Sequence, residues 1–220
     1  MKQPVTVEIK DAFRQEWPLT GASLLFLPVP GQVPGGALSA REEAVHAAFR
    51  MEKRRAEWLA GRLAAKTLLA APGEPPASLE IGMDQYGRPC CGGRLVSISH
   101  SNGWALAAAK PGCAFLGADL ELVEERHHAW YSDYFHPTEL PSPDPSEGTR
   151  LWTVKEALMK ALGLGLMADP MDIRVREKVT LTGKTLERYR ELGSPEFAVE
   201  TRRCPEGRFW TAVAAGGVPA

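Results

Sequence analysis

Cysteine is scarce in this chain and poorly placed for structural work. Only Cys90, Cys91, Cys113 and Cys204 occur. The adjacent Cys90-Cys91 pair fits neither a CxxC zinc knuckle nor a disulfide framework, so the four read as reduced thiols of a cytoplasmic protein. No apolar run approaches the about 18 residues that cross a bilayer. The opening stretch MKQPVTVEIKD lacks the apolar core of a signal peptide. Net charge is also nearly absent: 26 basic against 27 acidic residues leave −1, which argues against nucleic acid or another polyanion as partner. A phosphate-bearing small molecule needs only a local basic cluster, so net charge does not exclude one. Walker loops, GxGxxG fingerprints and nucleophile elbows are missing too. That removes the common nucleotide-binding loops and acyl-enzyme chemistry.

What is present is an ordinary soluble composition, 44% hydrophobic over 220 residues, enough for one large domain or two small ones. Residues 1–37 supply one strand, Ser23–Val29, ended by a Gly-Pro loop. Ser39-x-x-Glu42 resembles a capping box that opens helical sequence to about Ala71. A break near Met51–Lys53 divides it into two helices, the second inward-facing at Trp58, Leu59, Leu63 and Leu68 and basic at Arg54, Arg55, Arg62 and Lys66. A β region follows, with strands at Leu79–Gly82, Arg94–Ser99, Trp104–Lys110 and Phe115–Leu122. Residues 126–140 read as helical, restarting at His136–Glu139, and Pro141–Gly148 as a loop. In Leu151–Leu166 an apolar stripe of Leu151, Val154, Leu158, Ala161 and Leu162 defines a packed helix that ends at Gly163 and Gly165. Strand-like runs at Asp172–Val179, Phe197–Arg203 and Arg208–Ala215 close the chain. The strand pair at 97–109 rhymes in pattern with the pair at 200–215, pointing to an α+β fold built from a duplicated unit.

Several clusters carry possible chemistry. Asp119 and Glu121 alternate along one strand face, so they project together, either as solvated acids or as a pair favouring a divalent cation. Glu156 and Lys160 lie four apart on a helix, away from its apolar stripe; Glu156 supplies a third acid if the helix packs nearby. Ser99-His100-Ser101-Asn102 sits at a strand end, where hydroxyls, an imidazole and backbone N–H groups suit a phosphate or local turn bonds. Tyr86-Gly87-Arg88-Pro89 presents an arginine on a rigid turn. Acids, a helical Glu/Lys pair and candidate phosphate clamps, without a covalent nucleophile, indicate metal-assisted transfer of a phosphate-containing group.

These blocks, YGRPC at 86–90, SISHSNGW at 97–104, GADLELVEE at 117–125 and LWTVKEALMKALGLGL at 151–166, together resemble the 4′-phosphopantetheinyl transferases, specifically the large monomeric surfactin-type class. The fragment YFHPTEL at 134–140 and the basic helix at 54–66 fit as well. The resemblance implies a pseudo-twofold pair of α+β halves, 1–112 and 113–220, with coenzyme A and the active site at their interface. Asp119, Glu121 and Glu156 would be ligands of Mg²⁺, with Mn²⁺ as a substitute. Asp119, Glu156 and Lys160 would be the catalytic residues, Glu156 or a metal-bound water acting as general base and Lys160 assisting the leaving phosphate. Lys155 would help hold the pyrophosphate, and Ser99 would be among the residues that bind coenzyme A. Arg88 and His100 would grip the nucleotide end, and one of Arg50, Arg54 and Arg55 the 3′-phosphate. The activity implied is transfer of the 4′-phosphopantetheine arm to a serine of an apo acyl or peptidyl carrier protein, releasing adenosine 3′,5′-bisphosphate. The carrier belongs to fatty-acid, polyketide or nonribosomal-peptide synthesis, and neither nucleic acid nor membrane is a partner. Ala118, where the family usually has a larger β-branched residue, leaves the acids untouched. A coenzyme A or carrier-binding protein without transfer, and an α+β domain with merely solvated acids, are the competing readings.

Overall fold

The computed structural model describes residues 11–30 and 36–217. Most of the Gly-Pro loop and the first ten residues lie outside them. Strand β1 (Phe13–Trp17) pairs antiparallel with β2 (Ala22–Pro28). Helix α1 (Ala40–Ala48) starts at the expected capping box: Ser39 Oγ accepts from Glu42 N, and Glu42 returns a bond to Ser39 N. Phe49 and Met51 are extended, so the helical run breaks before α2 (Glu52–Leu69). Then come β3 (Gly82–Met83), β4 (Pro89–Cys91), β5 (Arg94–Ser101) and β6 (Trp104–Ala109). The second half holds β7 (Phe115–Leu122), α3 (His128–Tyr134), α4 (Pro145–Ala161), β8 (Ile173–Val175), β9 (Val179–Leu181), α5 (Gly183–Glu191), β10 (Glu196–Arg203) and β11 (Phe209–Gly217).

Several elements differ from expectation. Helix α4 begins at Pro145, because Asp144 caps it through Glu147 N and Pro145 occupies a first-turn position that needs no N–H donor. Residues 137–139 form a turn rather than a helix restart. The strand expected at Leu79–Gly82 is reduced to Gly82–Met83. The run expected over Asp172–Val179 is the short hairpin β8–β9. Strand β1 and helix α5 were not foreseen. Lys66 does not belong to a basic surface: it is fully buried, donating to Ala37 O and Glu42, whose other oxygen accepts from Ile81 N.

Two antiparallel sheets form the frame, one in the order β1-β2-β6-β5-β4-β3 and one in the order β10-β11-β7. Leu24, Phe26, Leu106 and Ala108 from the first pack against Ala118, Leu120, Phe209 and Val213 from the second, giving a core between sheets. Helix α2 covers the outer face of the first sheet and α4 that of the second. Both approaches are close. A Cβ on Gly61 of α2 would lie 2.6 Å from Ile98 Cγ2. A Cβ on Gly117 of β7 would lie 1.8 Å from Ala157 O and 2.6 Å from Ala161 N, so α4 rests directly on that strand.

The sheets meet where β5 and β7 run side by side in the same direction. No backbone ladder joins these two strands. Serine hydroxyls do so instead. Ser97 Oγ accepts from Ala118 N at 2.8 Å, and Ser101 Oγ accepts from Leu122 N at 3.2 Å.

Candidate active site

Alternation along β7 sets the site. Ala118, Leu120 and Leu122 turn into the core between sheets, which leaves Gly117, Asp119 and Glu121 on the α4 side. Because Gly117 admits α4 at main-chain distance, Glu156 and Lys160 are brought over the same strand. Asp119 is 3% exposed; its Oδ1 accepts from Ser99 Oγ at 2.7 Å and Lys160 Nζ at 2.6 Å. Its Oδ2 is buried without a partner among the described residues. Glu121 Oε2 accepts from Ser101 Oγ at 3.1 Å and lies 3.7 Å from Arg126. Burial and then the neighbouring Asp119 push the Glu121 carboxyl up to about 7. The same causes, in the same order, raise Glu156. Lys160 Nζ also donates to Ser99 Oγ and Ala118 O, and its side chain stays 26% exposed.

The donor set is three carboxylates, which suits a hard divalent cation. The buried Asp119 oxygen without a partner is an acceptor that such a cation would satisfy. In this arrangement Lys160 neutralises Asp119. Among the described residues, no group of three His, Cys, Asp or Glu side chains is gathered closely enough to hold an ion. The residues fit a metal in kind and sequence position, without being drawn together around one.

Two clefts open on either side of Ile98, which lines both; neither is lined by Asp119, Glu121 or Glu156. One, of 440 Å³, is bordered by Phe49, Arg54, Trp58, Arg62 and His100. Here His100 is half exposed, with Nδ1 3.7 Å from Glu57 Oε2, and the Arg54 guanidinium stands over the Phe49 ring at 5.9 Å. Arg54 and His100 therefore share one basic cleft. The other cleft, of 340 Å³, is bordered by Tyr86, Arg88, Lys160 and Gly163.

One assignment needs correction, and three other expected contact residues are bonded to protein groups. Lys155 is fully buried and cannot hold a pyrophosphate: its ammonium donates to Tyr134 O (2.7 Å), Glu139 Oε2 (3.1 Å) and Pro170 O (3.1 Å), its full complement of protons. Arg88 borders a cleft, but all its guanidinium nitrogens have protein partners. They reach Asp84, Ala114 O and Ala161 O, clamping the 84–88 turn to the start of β7 and the end of α4. Arg55 donates to Phe49 O and braces the junction between α1 and α2. Ser99, buried, spends its hydroxyl on Asp119 and Lys160. Arg50 is exposed at the helix break. Sequence reasoning places Ser101 only within the Ser99–Asn102 turn and Glu139 only within YFHPTEL, without their contacts to Glu121 and Lys155, and gives Arg126 no role. Only Ser101 left a readable signal: the alternation Ser97, Ser99, Ser101 puts all three hydroxyls on one strand face.

Two family models match consecutive parts of the chain. A 4′-phosphopantetheinyl transferase N-terminal domain covers residues 40–110, and the 4′-phosphopantetheinyl transferase superfamily covers residues 115–212. No curated protein matches. Among solved structures, the chain is similar to the holo-[acyl-carrier-protein] synthase of Thermotoga maritima at 18% identity and TM-score 0.39, over 49% of this chain and 65% of that one. It is similar to the holo-ACP synthase of Plasmodium yoelii at 19% identity and TM-score 0.42, over 49% of this chain and 97% of that one. An ACPS–CoA complex of Chronobacterium ammoniagenes aligns at 16% identity and TM-score 0.40, over 48% and 98%. The boundary between the two family models falls in the β6–β7 turn, and Asp119, Glu121, Glu156 and Lys160 all lie within the second match. With most of its length and its whole acidic cluster inside these matches, the chain belongs to the 4′-phosphopantetheinyl transferase superfamily, a superfamily of transferase enzymes.

Proposed function

We propose that this protein moves the 4′-phosphopantetheine arm of coenzyme A onto a serine hydroxyl of an apo acyl or peptidyl carrier protein, in the manner of the surfactin-type class. The observation that carries the reading is the buried, half-partnered Asp119 held by Lys160 and Ser99, with a basic cleft lined by His100, the next residue after Ser99. The two family matches, meeting at 111–114, support halves at 1–112 and 113–220 and a site between them; one long helix on each sheet supports their origin as a duplicated unit.

In the reaction the serine oxygen forms a bond to the phosphorus that carries pantetheine, and the bond from that phosphorus to the bridging oxygen breaks. Adenosine 3′,5′-bisphosphate leaves. Glu156, directly or through a water, takes the serine proton. Lys160, whose side chain is partly exposed and borders the cleft, stabilises or protonates the departing phosphate. Arg54 and His100 hold the nucleotide end, including its 3′-phosphate. Asp119, Glu121 and Glu156 would hold Mg²⁺, which when bound polarises the pyrophosphate and offsets its charge. Among the described residues no helix is long and apolar enough to cross a membrane.

Intact-mass spectrometry of an apo carrier protein incubated with this protein, coenzyme A and Mg²⁺ tests the proposal. The carrier should gain one phosphopantetheine, and EDTA should abolish the gain. Asp119→Ala should abolish transfer, and Glu156→Gln should slow it at least ~10²-fold. Near-wild-type rates for both variants would remove the site assignment.

A further inference from the structure

Each acid on β7 has one oxygen engaged by a serine of β5 and one oxygen left over. Ser99 Oγ donates to Asp119 Oδ1, and Asp119 Oδ2 has no partner. Ser101 Oγ donates to Glu121 Oε2, while Glu121 Oε1 makes no hydrogen bond among the described residues. The Ser101 hydroxyl has little freedom in this. One of its lone pairs is taken by Leu122 N, so its single proton is directed at the carboxylate. Arg126, 3.7 Å away, biases the same Oε2.

From this we infer that Ser101 is a positioning residue: it fixes Glu121 so that Oε1, rather than Oε2, is presented for ligation. The inference rests on the proposed role of Asp119 and Glu121 in holding a divalent cation. Serine hydroxyls orient the acids from β5, across the seam, so the first half of the chain shapes a site whose carboxylates all come from the second. Ser97 supplies the internal comparison. It makes the same kind of seam bond, to Ala118 N and O, without touching a carboxylate. Partners that orient a ligating side chain commonly change metal affinity about 10–100-fold when removed.

The test is Mn²⁺ binding to the full chain in the absence of carrier protein, measured by electron paramagnetic resonance, with melting temperature as a parallel readout. Ser101→Ala should weaken Mn²⁺ binding about 10-fold or more, and Ser101→Thr should restore it. Ser97→Ala should lower the melting temperature by a similar amount and leave Mn²⁺ affinity unchanged. Unchanged affinity in Ser101→Ala would overturn the inference, as would equal weakening in Ser97→Ala, which would make the effect one of seam packing. A wild-type protein that takes up no Mn²⁺ would instead remove the cation role itself, and the inference with it.

Discussion

Five residues apart on α4, two lysines hold carboxylates in opposite ways. Around Lys155 every valence is filled. Its ammonium has three protein acceptors, and Glu139 in turn accepts from His136 N and Val175 N, tying α4 to the 134–140 segment and to β8. Around Lys160 the ammonium likewise has three protein acceptors, Ser99 Oγ, Ala118 O and Asp119 Oδ1, but Asp119 keeps a buried oxygen without a partner among the described residues and the lysine side chain is partly exposed beside a cleft. The first is a saturated, closed knot that holds the chain in place. The second keeps spare bonding capacity, as a site that must accept a substrate requires. Both present as Lys-plus-acid pairs, and only the tally of unfilled valences tells them apart.

Three experiments separate the two regions. The largest effect is expected at the closed knot. Lys155→Ala strands a buried Glu139 and should lower unfolding stability by about 3–5 kcal/mol in urea denaturation, with the paired change Lys155→Met/Glu139→Gln recovering part of it. A loss below about 1 kcal/mol would mean that the knot holds little. At the open pair the pattern should reverse. Lys160→Met leaves Asp119 with Ser99 as its remaining partner, so it should cost less stability than Lys155→Ala, yet slow transfer to carrier protein about 10²-fold. The smallest effect concerns the arginines. Arg54→Ala should weaken coenzyme A binding about 10-fold by calorimetry without changing the melting temperature, since each factor of ten is only about 1.4 kcal/mol. Arg88→Lys should do the reverse, because a lysine cannot replace a guanidinium that spans three partners. If Arg88→Lys instead weakens coenzyme A binding more than Arg54→Ala, the clamp assigned to it here is also a ligand contact.

Legibility in the sequence followed how local each cause is. The Ser39/Glu42 box and the alternation of Phe115–Leu122 are local signals, and both elements stand where expected. The start of α4 was hidden because PSPDPSEG has loop composition, although Asp144 and Pro145 are themselves good helix-start residues. Strand β1, FRQEW, is too polar to declare itself; its Phe13 and Trp17 find their places only by pairing across β2 and packing on the inter-sheet core. The acids and Lys160 were readable because alternation and i,i+4 spacing fix directions. The burial of Lys155, Lys66 and Arg88 was not, since it depends on carbonyls and carboxylates contributed by distant segments.

Gly117 carries a consequence for how this protein can change over time. Where a helix and strand meet through side chains, substitutions on one can be absorbed by substitutions on the other, and their spacing can drift. Here the helix sits on bare main chain, so no compensating exchange exists at the point of contact. Descendants of this sequence, natural or engineered, are free to rewrite the outward surface of α4 around the reactive pair. They inherit the distance from that helix to the strand bearing Asp119 as a constant.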